Sequence, residues 1–534
     1  MSLSGLPLTK IKDGTPPEEL LAINAGGFGR WQISVVCITL LCILFHGFDV
    51  YTSKLATPIP LNYTCSAPNS SRCFYANGTK CQHFNFSKEY DIYTYAEKFN
   101  LVCEDEILGS WVKNCFCVGV GIGFLLTGWT ADKYGQKITA MVFIPLQCLL
   151  GVFLISINNF SMMLFFVVVQ GICSTCTVLL PRIAVCEAVG NKWRTFMLGF
   201  VMVPLPIGLI ISPYLFILLS DINKVVAVVS VLPLLLLVPI LYFKDSPNKV
   251  LVTHDFKRVE ESVRKIAQFN KQPLPNDIRI RPVQLTENAP PRPNLFPIIW
   301  QHSETRNIFF AITIHLFFIG FTMDLLLLNL YHVYSQIYIY GIFAIFAMIT
   351  GIALAHFVKI STIIAVSCVL KDVILCVIFL SDDFSYIKIN GGIIFGLKLF
   401  ATFLHFVAYI VSDNITTRIF PTDFRAQGAS FTHGLFFLGN FLGSVMLTYS
   451  KGNLFIWPYI VIIGFIAPIA EVTCSFWFWD VHNRELPDFF EDAVNFKRYY
   501  KPVRYVGIEN KFATLREKEI RSIDLNNLSN NLRK

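Results

Sequence analysis

Nine charged side chains lie inside, or at the edge of, long apolar segments of this 534-residue chain. An ionisable group at hydrocarbon depth costs several kcal/mol unless it faces a water-filled cavity or a charged partner. The pattern therefore predicts a polar interior between otherwise apolar helices. The nine are Asp49, Lys113, Arg182, Asp324, Lys371, Asp372, Lys398, Asp413 and Glu471. For four of them the alternative is a helix end from which the head group reaches the interface, namely Asp49, Arg182, Asp413 and Glu471.

Asp324 and Lys398 are the strongest candidates for a substrate cavity. Asp324 can hold an ammonium group, and Lys398 can hold a carboxylate or neutralise an acid. Structural pairing without substrate contact is the alternative for each. Lys371 and Asp372 are further cavity candidates. Because neighbouring residues point in different directions on a helix, we expect these two to have separate partners rather than to pair with each other.

Aromatic side chains are plentiful, with 49 Phe and 20 Tyr, and their faces attract organic cations. Tyr331 and Tyr409 are assigned to the same cavity, with lipid contact or packing as the alternative. The sequence contains no His-Glu-x-x-His and no Gly-Lys-Ser/Thr phosphate loop. We therefore expect no enzyme, no cofactor, no bound metal and no ATP-driven pump.

The elements that must position these side chains are transmembrane helices. The chain is 54% hydrophobic and only 15% charged, whereas soluble domains carry roughly 25% charged residues. Apolar runs long enough to cross a bilayer recur along it. They predict an all-α membrane protein of twelve spans, at 32–50, 109–129, 138–157, 161–181, 196–219, 225–243, 307–328, 336–357, 361–380, 391–412, 428–449 and 454–479.

The segment between the first two spans, residues 51–108, predicts a glycosylated extracellular loop. It holds four acceptor sequons, at Asn62, Asn69, Asn77 and Asn85. An even set of cysteines in an oxidising compartment indicates two disulfides with three possible pairings, among Cys65, Cys73, Cys81 and Cys103. The alternative is a disordered loop with free thiols.

An extracellular 51–108 loop places both termini in the cytoplasm, because the number of spans is even. Basic residues in the short loops of the cytoplasmic side agree with this orientation, and the net charge of +8 then needs no nucleic-acid partner. Residues 256–269 alternate apolar and charged positions at helical spacing, and we interpret them as a solvated linker helix. The predicted regions are an N-terminus (1–31), a first half (32–243), a central loop (244–306), a second half (307–479) and a cytoplasmic tail (480–534).

The two halves repeat a motif at equivalent places. The fourth-to-fifth connection reads Glu187-Ala-Val-Gly-Asn-Lys-Trp-Arg194, and the tenth-to-eleventh reads Arg418-Ile-Phe-Pro-Thr-Asp-Phe-Arg425. Each is a short polar turn that ends in Arg and leads into a helix containing Gly. Two six-helix halves around a midplane site are a known transporter design.

At these residues the chain resembles the major facilitator superfamily, and within it the organic cation, organic anion and carnitine transporter family of solute carriers. The loop after the second span is similar to the family's pattern and reads Gly128-Trp-Thr-Ala-Asp132-Lys133-Tyr-Gly135-Gln136-Lys137. The segment Glu485–Ala493 is similar to the one that follows helix 12 in that family. Gln136 and Arg418 depart from the usual residues, so the chain is identified as a divergent member.

The resemblance and the positions of these charges together predict a cytoplasmic gate. Gly135 allows a tight turn, and Asp132 is expected at the start of the third helix, where its charge favours the helix dipole. The alternative is that these charges only fix topology. The predicted gate residues are Gly128, Asp132, Lys133, Gly135, Lys137, Glu187, Arg194, Arg418 and Arg425.

We expect a plasma-membrane carrier of small organic ions that works by alternating access, as a uniporter, an exchanger or an ion-coupled transporter. Asp324 and the aromatic residues favour a cation or a zwitterion. One alternative is an organic anion transporter of the same fold, and another is a transport-inactive glycoprotein that binds through its extracellular loop. The coupling ion and the oligomeric state stay open.

Replacing the four sequon asparagines (Asn62, Asn69, Asn77 and Asn85) tests the predicted orientation. Glycosidase treatment should shift the gel mobility of the mature wild-type protein, because the loop passes through the compartment where glycans are attached. The quadruple Asn→Gln variant should show no such shift. A full shift that persists in the variant would place this loop on the other side of the membrane.

Overall fold

Twelve helices that are long and apolar enough to cross a membrane follow one another in the described part of the computed structural model, which confirms the predicted fold class. Several extend beyond the predicted spans, because their ends carry polar residues that hydropathy alone assigns to loops. Their bounds are α1 Arg30–Leu55, α2 Cys103–Tyr134, α3 Gln136–Ile155, α4 Phe160–Ala188, α5 Asn191–Leu219, α6 Ile222–Ile240, α7 Ser303–Leu326, α8 Ile337–Phe357, α9 Ile360–Ser381, α10 Gly391–Ile419, α11 Arg425–Tyr449 and α12 Trp457–Ser475.

The structure describes residues 17–24, 28–57, 62–66, 73–75, 81, 83–87, 92–242, 256–274, 278–280, 299–300, 303–326, 334–383, 390–422, 424–450, 456–478, 486 and 506–508.

Four of the spanning helices are interrupted. In α5, α6 and α12 a proline stands at the start of a later segment, where its missing N–H removes no needed hydrogen bond; these are Pro204, Pro233 and Pro468. The segments are Phe160–Ser174 and Cys176–Ala188 in α4, Asn191–Phe200 and Pro204–Leu219 in α5, Ile222–Val231, Leu232–Leu236 and Leu237–Tyr242 in α6, and Ile456–Val461, Ile462–Ile466 and Ala467–Ser475 in α12.

A small sheet and two disulfides organise the described part of the loop between α1 and α2. Strand β1 (Asn62–Cys65) pairs antiparallel with β2 (Phe84–Ser87), and a short helix follows at Tyr95–Lys98 before α2 begins at Cys103. Cys65 is bonded to Cys81 and Cys73 to Cys103, which selects one of the three pairings left open by the sequence. We call this side of the helix bundle the disulfide face.

The opposite side, called the linker face, carries the short helix Pro17–Asn24 and the linker helix Phe256–Phe269. The interpretation of 256–269 as a solvated helix is wrong for its apolar side, because Val259, Val263 and Ile266 are buried. They pack with Leu20, Leu21 and the start of α1. Strand β3 (Ile278–Ile280) also pairs antiparallel with β4 (Val506–Ile508), so the linker and the C-terminal region meet on this face.

Close helix pairs join the bundle, both within each half and between the halves. The pair α2 and α11 and the pair α5 and α8 cross from the first half to the second. Small residues let helix backbones approach in membranes, and Gly121 of α2 lies against the Gly434 carbonyl of α11. Within the second half, Gly320 of α7 faces the Phe436 carbonyl of α11 so closely that an added Cβ would lie 1.9 Å from that oxygen.

Gly320→Ala should therefore destabilise the protein by about 1–3 kcal/mol, because the new methyl group must push α7 away from α11. Gly396→Ala in α10 is the matched control, since a Cβ there meets nothing within 4 Å. The midpoint of thermal unfolding in detergent should fall for Gly320→Ala and stay level or rise for Gly396→Ala. Equal midpoints for the two variants would contradict the close α7–α11 contact.

Candidate substrate path

A cluster of charges joins the two halves close to the disulfide face. Asp324, near the end of α7, contacts Lys54 of α1 through Oδ1 at 3.2 Å and Lys113 of α2 through Oδ2 at 3.0 Å. The Asp324 side chain is 2% exposed. One carboxylate of the second half thus contacts two ammonium groups of the first half.

Amide and hydroxyl groups extend this cluster across the same boundary. Ser444 of α11 donates to Asn114 Oδ1 of α2 at 2.6 Å. Asn440 of α11 donates to Asp324 Oδ1 at 3.4 Å and accepts from Cys117 Sγ of α2 at 3.0 Å. We call Lys54, Lys113, Asp324, Asn114, Asn440 and Ser444 the disulfide-face layer. All the groups in these hydrogen bonds and ion pairs are polar, so water would solvate them if the pairs separated.

A second buried charge cluster joins the halves toward the linker face. Arg182 of α4 donates through Nη2 to Asp413 Oδ2 of α10 at 2.5 Å. His433 of α11 has Nε2 at 2.8 Å from Asp413 Oδ1 and Nδ1 at 2.7 Å from the Ala429 carbonyl oxygen. All three charged or polar side chains are buried. Arg182 and Asp413 therefore do not reach the interface as separate groups; they pair across the two halves.

The residues of the predicted gate lie on the linker-face side of that cluster, and the structure pairs several of them across the halves. Arg425 Nη1 donates to Glu187 Oε1 at 3.0 Å, and Arg418 Nη1 donates to Thr195 Oγ1 at 2.6 Å. Within the first half, Arg194 Nε donates to the Cys186 carbonyl oxygen at 2.9 Å. We call Arg182, Asp413, His433, Glu187, Arg425, Arg418 and Thr195 the linker-face layer.

Asp132 contributes to this layer differently from the prediction. It lies in the last turn of α2, not at the start of α3, and its Oδ2 accepts from the backbone N–H of Gln427 at 2.9 Å. The expected position at α3 is thus wrong: the carboxylate meets the N-terminal turn of α11, in the other half. A carboxylate there satisfies a backbone donor that has no intrahelical acceptor.

The two glycines of the predicted gate have different structural roles. Gly135 has φ +104°, a conformation that L side chains rarely adopt, which confirms the tight turn between α2 and α3. Gly128 lies against α11, and a Cβ there would come within 2.0 Å of Ser430 Oγ. Lys133 places its ammonium 4.6 Å from the Trp129 ring, and Lys137 lies in the first turn of α3. The gating role of these residues stays a prediction.

A central cavity of about 50 Å³ lies between the two layers, with His433 and Asn440 lining it at opposite ends. Its polar lining is His46, Tyr51, Lys54, His405, Tyr409, His433 and Asn440, and its aromatic lining includes Phe124, Phe406, Phe436 and Phe437. This volume holds a few water molecules and is far below the roughly 300 Å³ of a pocket for an organic ligand. The helices must therefore separate before a substrate can enter.

Lys371 and Asp372 form part of a separate cluster within the second half, and the expectation that they do not pair is wrong. Lys371 Nζ lies 3.0 Å from Asp372 Oδ1 and 3.4 Å from Glu471 Oε1 of α12. It also donates to Thr322 Oγ1 of α7 at 3.1 Å. The flexible side chain of Lys371 bends back to the neighbouring Asp372, because the buried carboxylates have no water to solvate them. Neither Lys371 nor Asp372 is among the residues that line the central cavity.

The other cavity candidates have mixed positions. Tyr409 lines the central cavity, whereas Lys398 is buried in the first third of α10 and does not line it. Tyr331 lies outside the described residues.

Among the described residues, three side chains could together hold a metal ion, because their ligand atoms lie within 4.8 Å of one another. They are His315, Cys368 and Glu471. The Lys371 ammonium at 3.4 Å from Glu471 already compensates that carboxylate, which disfavours a metal cation there.

Sequence reasoning missed Lys54 and the cavity histidines. Lys54 lies beyond residue 50, where hydropathy ends the first predicted span, whereas α1 continues to Leu55. His46, His405 and His433 are not among the predicted cavity residues, because a histidine is neutral in its common form and does not stand out as a charge in an apolar span. A signal was available, since a histidine within an apolar span is a polar group that also needs a partner or a cavity.

A comparison with known protein families finds a match that covers most of the length of the chain. Residues 90–486 match the Major Facilitator Superfamily. Human "Solute carrier family 22 member 2" is 29% identical over 118 residues, 21% of this chain and 20% of that protein. The rat protein of the same name is 20% identical over 425 residues, 75% of this chain and 72% of that protein. Human "Organic cation/carnitine transporter 2" is 25% identical over 198 residues, 36% of this chain and 35% of that protein.

The match thus spans about a fifth of the length of human "Solute carrier family 22 member 2" and about a third of the length of human "Organic cation/carnitine transporter 2". Among solved structures, the proton:xylose symporter XylE bound to 6-bromo-6-deoxy-D-glucose is 14% identical, with a TM-score of 0.58 over 84% of this chain and 95% of that one. Inward open XylE from E. coli has a TM-score of 0.55 at 15% identity, over 82% and 95% of the two chains. At these identities the structures show the fold alone. With a superfamily match across most of its length and relatives in solute carrier family 22, the chain belongs to the Major Facilitator Superfamily of membrane transporters.

Proposed function

We propose that this chain carries small organic ions across the plasma membrane by alternating access. One observation supports this most directly: two layers of buried charge join the halves at opposite ends of one central cavity. A rigid scaffold needs no such layers, because apolar packing stabilises a buried interface at least as well as ion pairs do. A carrier needs contacts that can break on one side and re-form.

Ion pairs are suited to breaking and re-forming because the paired state and the separated, hydrated state differ little in free energy. When one face opens, water enters and solvates the separated charges, which offsets the lost Coulomb attraction. When that face closes, the pairs re-form as water leaves. Lys54, Lys113 and Asp324 would open toward the disulfide face, and Glu187 and Arg425 toward the linker face. A substrate in the cavity would shift the balance between these states.

The lining of the cavity favours a zwitterion among small organic ions. Lys54 lines the cavity and supplies a positive charge for a carboxylate. Phe124 and Phe437 stack at the cavity, and aromatic faces attract an ammonium group. Asp324 already contacts two lysines, so it can bind an ammonium group only if one of them moves away. The name of one human relative, "Organic cation/carnitine transporter 2", agrees with this substrate class.

The same proposal includes an orientation: the disulfide face lies outside the cell and both termini lie in the cytoplasm. The disulfide-bonded loop supports this, because disulfides persist in oxidising compartments. Asn85 of β2 is exposed and thus accessible to a glycan. Asn69 and Asn77 lie outside the described residues.

Uptake of radiolabelled betaines, quaternary ammonium ions and aromatic monocarboxylates by cells that express the chain tests the transport function and the substrate class. We expect saturable zwitterion uptake, with the KM raised about tenfold by Lys54→Met because one charge-assisted contact is lost. Lys265→Met, on the exposed side of the linker helix, is the control and should leave KM unchanged. Verified surface expression without saturable uptake of any class would contradict the carrier and favour a binding glycoprotein.

A cross-link across the disulfide-face layer tests alternating access. Ser444 Oγ and Asn114 Oδ1 are 2.6 Å apart, so cysteines at both positions should bond on oxidation and hold α2 against α11. Uptake should fall at least about tenfold in the oxidised Asn114→Cys/Ser444→Cys variant and recover with reductant, while each single variant stays insensitive to oxidation. Full uptake by the cross-linked protein would show that this face does not need to open.

A further inference from the structure

Asp49 of α1 is a buried carboxylate whose surroundings differ from those of the acids in the two layers. Gln147 of α3 donates through Nε2 to Asp49 Oδ2 at 2.6 Å. The other oxygen, Oδ1, has no hydrogen-bond partner among the described residues. Asp49 is only 3% exposed, so bulk water does not solvate it.

Two more oxygens of the same neighbourhood are unsatisfied. Thr52 Oγ1, one turn after Asp49 on α1, and Gln147 Oε1, on the amide that contacts the carboxylate, are buried and have no partner among the described residues. Asp49 and Thr52 line one cavity of about 30 Å³, whose other polar lining residues are Ser53, Tyr95 and Gln170; Gln147 contacts Asp49 but is not among the lining residues. This cavity lies within the first half, and none of its lining residues is shared with the central cavity.

The charge balance of this cavity is incomplete. Asp324 and Asp413 each contact a basic side chain, but none of the described residues that line the Asp49 cavity is basic. The nearest histidine in sequence, His46, lines the central cavity, and the titratable group on the other wall is the neutral phenol of Tyr95. A carboxylate buried without a counter-charge is strongly unfavourable. A bound cation would remove that cost.

We propose that Asp49 and Thr52, which line this cavity, form with the Gln147 amide that contacts Asp49 a binding site for a small monovalent cation, Na⁺. Carboxylate, amide and hydroxyl oxygens are the ligands that hard cations prefer. A single carboxylate balances a single positive charge, whereas Ca²⁺ and Mg²⁺ sites require more ligand charge or several waters. A cavity of about 30 Å³ has room for one ion and a water molecule that completes its coordination.

The site goes beyond the proposed transport function, because it lies apart from the central cavity and takes a different ligand. It is nevertheless connected to the substrate path through α1, which carries Asp49 and Thr52 on one side and His46, Tyr51 and Lys54 toward the central cavity. A cation bound here would fix the orientation of α1, on which the Lys54–Asp324 pair depends.

Thermal unfolding of the full-length protein in detergent tests the site without any organic substrate. Na⁺ should raise the unfolding midpoint in a saturable way when it replaces N-methyl-D-glucamine at constant ionic strength and pH, because a ligand of the folded state stabilises it. Asp49→Asn should abolish the rise, and Thr52→Ala should weaken the apparent Na⁺ affinity about tenfold. Thr39→Ala, which removes another buried hydroxyl of α1, one that contacts the Val35 and Pro181 carbonyl oxygens, should respond like the wild type.

Binding of radioactive ²²Na⁺ to the purified wild type provides a second measurement that does not depend on how well the variants fold. A saturable signal that unlabelled Na⁺ displaces supports the site. Absence of binding, or an equal Na⁺ response in Asp49→Asn, overturns it. A midpoint that changes with pH but not with Na⁺ also overturns it, because the carboxylate then holds a proton. None of these results depends on whether uptake is observed, so the transport proposal fails or stands separately.

Discussion

The structure depends on one constraint: charges placed among apolar helices must be compensated inside the protein. At hydrocarbon depth water is absent, and removing one partner from a buried pair costs about 3–5 kcal/mol. In this chain the compensation is distributed unevenly. The Lys371–Asp372–Glu471 cluster lies within one half, whereas Asp324 and Asp413 find their basic partners in the other half. The first arrangement joins helices of one half, and the second joins the two halves.

The position of these pairs along the helices determines what they enclose. Lys54 and Asp324 lie near the ends of α1 and α7 on the side of the disulfide face. Arg182 and Asp413 lie toward the ends of α4 and α10 on the side of the linker face. The space between them is lined by aromatic rings and histidines from both halves. Its small volume follows from the closure of both layers at once, since neither face leaves the helices apart. Under the proposed alternating access, a state with room for an organic ion would lose one layer and keep the other.

Helix α1 connects most of these features. One side of it lines the central cavity, its end supplies Lys54, and another side carries Asp49 toward α3. Its first turn is tied to the linker helix, because Asn270 accepts from the Trp31 backbone N–H at 2.8 Å. A movement of α1 therefore reaches the substrate path, the Asp49 cavity and the linker face together. Coupling between an inorganic cation and the transport cycle would need such a shared element.

The sequence by itself determined the fold class, the number of spans and most of the charges that need partners, because hydropathy and sequence motifs are local properties of the chain. The turn at Gly135 and the helix over 256–269 were also predictable, since backbone conformation and helical spacing are local. The apolar contacts of that helix were not, because Leu20 and Leu21 lie more than two hundred residues away.

Only the tertiary structure decided which charges meet. Asp324 pairs with Lys54 and Lys113 across about two hundred or more residues, and Lys371 bends onto Asp372 against the expectation from helix geometry. Such choices depend on side-chain reach and on which helices touch, and no local pattern encodes either. The disulfide pairing and the role of Asp132 at α11 were decided in the same way, by proximity that arises only when the helices assemble.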